Sequence, residues 1–87
     1  MAEVDHKACE RLVATFAAKM GAPAATLAAR ALGKAMEVSP SGRIDPLMNQ
    51  AAAQAAWQKI VMEYSRTLGS NLVYSLLNKV KQELGLR

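Results

Sequence analysis

The sequence predicts an all-α fold, a small three- to four-helix bundle forming one helical domain over residues 1–87. Three observations carry that expectation. A chain of 87 residues and 9.3 kDa has room for a single core. Apolar residues recur at helical spacing in four segments, near 5–20, 23–38, 46–68 and 70–84. Glycine, alone or with proline and serine, punctuates the junctions.

The first helix is expected over 5–20, with Asp5 as its N-cap. Cys9, Leu12, Val13, Phe16 and Met20 make its buried stripe. Lys19 suits the negative end of the macrodipole, and Gly21 is the natural stop. Pro23 fits the first position of a second helix running to 38, because its missing N–H has no helical partner there. Ala24, Leu27, Ala28, Ala31, Leu32 and Ala35 gather on one side of it, a small-residue face that admits a close neighbour. Gly33 weakens this helix by about 1 kcal/mol relative to alanine. Residues 39–45 form the loop between the helical halves, with Asp45 as a cap and Pro46 opening the third helix.

The third helix is the most informative segment. Residues 46–58 carry no charge. Trp57, Ile60, Val61, Tyr64 and Leu68 form a bulky stripe, Ala51, Ala52, Ala55 and Ala56 a smooth second face, with glutamines between. Solvated helices of small proteins usually alternate their charges, so this segment reads as central in the fold or as part of a subunit contact. Both the bundle and its docking role are made to rest on water being kept from most of it. Ala51, Ala52, Ala55, Trp57, Ile60 and Tyr64 are the candidate interaction residues. Beyond Gly69 the apolar stripe of Leu72, Val73, Leu76, Leu77, Val80 and Leu84 centres roughly 130° away from the preceding one at 100° per residue. One straight helix cannot send both stripes to one core. A break at Gly69 is favoured over a single kinked helix across 46–84. Gly85 ends the last helix, with Leu86 and Arg87 expected to fray.

Residues 16–27, FAAKMGAPAATL, resemble the helix-turn-helix of bacterial repressors. Ala17 matches the small residue of the first helix, Gly21 the turn, and Thr26-Leu27 the start of the second helix's buried face. The resemblance implies a DNA-binding regulator built on residues 13–32, and Arg30, Lys34 and Arg43 are its candidate nucleic-acid contacts. It departs from the pattern where bases are read. The positions implied to face outward are Pro23, Ala24, Ala25, Ala28, Ala29 and Leu32, and none has a side chain that reads base edges. Over the whole chain, Ala31-Leu32, Lys34, Pro40-Ser41 and Asp45-Pro46-Leu47 are similar to the helix–loop–helix junction of type III secretion needle subunits. That resemblance implies a filament subunit shaped as a helical hairpin; Cys9 and Trp57 depart from it.

Little in the chain suggests catalysis. His6, Cys9 and Glu10 share one helical side at spacings a metal or a Cys–His pair could use. Cys9, however, continues the apolar stripe and reads as an inert thiol, while His6 lies near a terminus expected to fray. No second histidine completes a zinc site. Gly33-Lys34 lacks the remaining spacing of a phosphate-binding loop, and the seven acids form no close buried pair. Met20, Met36, Met48 and Met62 read as core gap fillers, and Ser39, Ser41 and Ser70 as loop and cap residues.

The expectation is therefore a non-enzymatic interaction or assembly module with no cofactor and no metal. It would associate with itself or with a protein partner, and nucleic acid is the alternative partner. A net charge of +4 permits that alternative, although the eleven basic residues are spread along the chain. No apolar run is long enough to span a membrane, and the charged opening MAEVDHKACE does not read as a secretion signal. With a single cysteine, a reducing, cytoplasmic setting is expected.

Overall fold

Asp5 starts the first helix as its side chain implies, its Oδ1 accepting the Ala8 N–H at 2.9 Å. In the computed structural model, which describes residues 4–85, four helices follow in order: α1 (His6–Met20), α2 (Pro23–Leu32), α3 (Gln50–Leu68) and α4 (Ser70–Leu84). Between α2 and α3 lies a two-stranded antiparallel hairpin, β1 (Glu37–Val38) and β2 (Ile44–Asp45), pairing Glu37 with Asp45 and Val38 with Ile44. The all-α bundle is thus the observed fold. The fraying proposed for Leu86 and Arg87 falls outside the described residues.

The core takes one stripe from each helix. Leu12, Val13 and Phe16 of α1 meet Ala24 and Ala28 of α2, Ile60 and Tyr64 of α3, and Val73 and Val80 of α4, all fully buried. The Phe16 and Tyr64 rings stack with centroids 4.3 Å apart, and the Tyr64 hydroxyl donates to the Ala24 carbonyl at 2.8 Å. As its alanines imply, α2 packs closely, and α3 is its main neighbour. The chain breaks at Gly69, so α3 and α4 are two helices and both apolar stripes reach the same core.

Three boundaries correct the sequence reading. The second helix stops at Leu32 instead of 38 because Gly33 turns to a φ of +88° and its N–H closes the last turn on the Ala29 carbonyl. That stop brings Met36 and Val38 back onto the core and lets Glu37–Val38 pair as a strand. The loop expected over 39–45 is for the same reason a hairpin, with Ile44 fully buried. The third helix begins at Gln50, not 46. Asn49, not Asp45, caps it, accepting the Ala52 N–H at 2.8 Å. Asp45 instead belongs to the strand, its carboxylate 3.2 Å from Arg43. The molecule has four helices within 30 × 29 × 20 Å, so it does not have the helical-hairpin shape that the resemblance to needle subunits implies.

The hairpin lies directly on α1. A Cβ added at Gly42, whose φ is +97°, would stand 2.7 Å from both the Ala14 Cβ and the Glu10 carbonyl oxygen. Gly42→Ala is expected to destabilise the fold by about 2–3 kcal/mol through this clash and the backbone conformation together. Gly33→Ala, with nothing within 4 Å, should cost only the conformational part, about 1 kcal/mol. Urea unfolding of the two variants checks the difference.

Candidate functional site

The uncharged stretch 46–58 divides into two faces once it is placed on α3. Ala53, Ala56 and Trp57 turn inward, followed by Ile60 and Tyr64. Ala51, Ala52, Gln54, Ala55 and Gln58 are exposed, as is Leu47 ahead of the helix. This corrects the premise that water is kept from most of the segment. In the single chain water reaches most of it; the bundle stands without that shielding, on the stripes already described, and the docking role loses this premise. Of the six candidate interaction residues, Trp57, Ile60 and Tyr64 are enclosed in the chain's own core, while Ala51, Ala52 and Ala55 are open.

At 100° per residue, Ala51, Ala55, Gln58 and Met62 fall on the back of α3, opposite the core face, at successive spacings of four, three and four. Met62 is 60% exposed and Leu47 81%. Met62 therefore departs from the gap-filling role, which Met20, Met36 and Met48 do play at the edge of the core. Helical spacing makes this second stripe readable; what sequence reasoning missed is that the alanines lie outside and only Ala53 and Ala56 inside. The signal was available, since Ala53 and Ala56 share the phase of Trp57, Ile60 and Tyr64.

The helix-turn-helix candidates are not brought together. Ala24, Ala25 and Ala28, implied to face outward, are buried against the rest of the bundle, because the small-residue face of α2 is its packing face. This corrects the picture of α2 as an exposed recognition helix. Arg30 borders a groove with Lys59, Met62, Glu63 and Arg66. Lys34 lies beyond the end of α2, and Arg43 borders a different groove with Lys7 and Arg11.

His6, Cys9 and Glu10 do structural work. His6 is buried, not at a loose terminus. Its Nδ1 accepts the Met48 N–H at 3.0 Å and its Nε2 lies 3.4 Å from Glu10 Oε2. The same Glu10 oxygen accepts the Ile44 N–H at 2.9 Å. Two backbone donors of the connection between α2 and α3 are thereby satisfied by α1 side chains, which fixes where α3 begins. The Cys9 thiol donates to the Ala53 carbonyl at 3.2 Å. Burial, helped by the Asp5 and Glu10 carboxylates, pushes its pKa up to about 12, so it is not a thiolate nucleophile near neutrality. Among the described residues no group of three or more His, Cys, Asp or Glu side chains could hold a metal, and no helix is long and apolar enough to cross a membrane. Comparison with known proteins finds no matching family model, no matching curated protein and no matching solved structure.

The buried thiol and phenol give stability a defined pH dependence. Burial also raises the Tyr64 pKa. Both groups stay protonated in the folded chain at pH values where the unfolded chain has released its protons. The stability these two groups contribute is therefore complete below pH 9 and falls as pH rises towards 12. Cys9 alone should account for a loss of about 2–3 kcal/mol by pH ~11. Denaturant titrations of wild type and Cys9→Ala across this range check it, the variant showing the shallower decline.

Proposed function

We propose that this chain is a small non-enzymatic assembly module that pairs with a second copy of itself through the outward face of α3. The observation that carries this reading is the chargeless stripe of Ala51, Ala55, Gln58 and Met62 on the side of α3 away from the core. Interface centres are depleted of charge and enriched in methionine; alanine is no interface signature by itself, but it lets two helix backbones approach closely. In an antiparallel pair centred between Ala55 and Gln58, Ala51 of each copy lies opposite Met62 of the other, small against large. Lys59, Glu63 and Arg66 then run beside the neutral first half of the other helix, so no like charges are forced together. Ala52 lies on the flank of the stripe. The lone cysteine, inert and buried, suits work in a reducing compartment such as the cytoplasm.

Light scattering coupled to size exclusion tests the reading. Wild type should show twice the chain mass at high protein concentration. Salt should strengthen the pairing, because each copy carries a net +4 that repels the other. Ala51→Glu/Ala55→Glu should weaken it by about tenfold or more while leaving folding stability within about 0.5 kcal/mol, since both sites are exposed. A wild type that keeps the mass of one chain at every concentration and salt overturns it.

A further inference from the structure

Phe16 of α1 and Tyr64 of α3 face each other across the core, so the backs of these two helices look to opposite sides of the molecule. The back of α1 is unlike that of α3. It forms the bottom of a trough walled by α4 on one side and the hairpin turn on the other. Two grooves, of about 370 and 350 Å³, meet there at Arg11 and Ala14. Five of the chain's eleven basic residues line it: Lys7, Arg11, Lys19, Arg43 and Lys79.

The acids at the trough leave much of this charge uncompensated. Glu10 is turned to the hairpin, where Oε2 holds the Ile44 N–H and approaches His6. Glu83 pairs with Arg11 at 2.8 Å, and Arg43 leans on Asp45 at 3.2 Å. Lys7, Lys19 and Lys79 have no ion pair among the described residues. Between them the floor is small, made by Ala14, Thr15 and Ala18 over the nearly buried Leu76.

We propose that this trough docks an acidic amphipathic helix of a protein partner. Ala14 and Ala18 would receive the apolar stripe of such a helix. The ammonium groups at the rim would meet carboxylates on its flanks, the pattern by which a helix lies in a groove. Charge complementarity selects the acidic partner, and the floor selects a protein over nucleic acid. Phosphate contacts need no apolar floor, and no aromatic ring lines the trough to stack a base. This surface is separate from the α3 face, so the proposal goes beyond self-association.

Fluorescence anisotropy on the full chain at low salt provides the test. The probes are a labelled synthetic peptide with leucine and alanine on one helical face and glutamate on the others, its scrambled counterpart of equal charge, and a short DNA duplex. The amphipathic peptide should bind more tightly than the scrambled peptide and the duplex. Its affinity should fall about tenfold or more in Lys19→Glu/Lys79→Glu and stay near wild type in Arg30→Glu/Lys34→Glu, which changes net charge equally away from the trough. Added salt should weaken this binding, opposite to its effect on pairing through α3. Absence of peptide binding, equal losses in the two variants, equal affinity for the scrambled peptide, or tighter binding of the duplex would each overturn the proposal.

Discussion

Tyr64 joins three of the four helices through one side chain. Its backbone belongs to α3, its ring stacks on Phe16 of α1, and its hydroxyl is bound to the Ala24 carbonyl of α2. Because the ring is fully buried, that hydroxyl needs a partner inside the protein, and a carbonyl near the start of α2 supplies it. The stripe on which Tyr64 lies is therefore committed to the core. What remains of α3 for any other purpose is the opposite face, and the division between enclosed and available residues follows from this one commitment.

The same logic separates what was legible in the sequence from what was not. Asp5, Gly21 and Gly69 mark boundaries through chemistry local to a few residues, a cap or a change of backbone conformation, and the structure keeps all three. The phase difference across Gly69 also follows from spacing alone. The boundary at 38 moved because Gly33, read as a weak point inside the helix, ends it; the boundary at 46 moved because non-local partners determine it. Ile44 is drawn into the core, and His6 and Glu10 take backbone donors far along the chain. Propensity at Pro46 carries no information about those partners.

For the candidate site the difficulty was one of direction. An absence of charge over 46–58 says that something apolar is tolerated there, not which side of the molecule it faces. Ala53 and Ala55 are the same residue type two positions apart, yet one is enclosed and the other open. Only the phase set by Trp57, Ile60 and Tyr64 distinguishes them. On α1, similarly, the sequence spreads basic residues evenly. The approach of α4 and of the hairpin turn gathers five of them around one trough.

The clamp formed by His6 and Glu10 bears on how the chain can be divided. The connection between α2 and α3 relies on α1 side-chain acceptors that lie 34 and 42 residues before the amides they bind. Removing α1 would strip the Met48 and Ile44 amides of their partners and expose the apolar surface that Leu12 and Phe16 cover. Placement of the hairpin and the first turn of α3 is bound up with docking of α1 through these two hydrogen bonds.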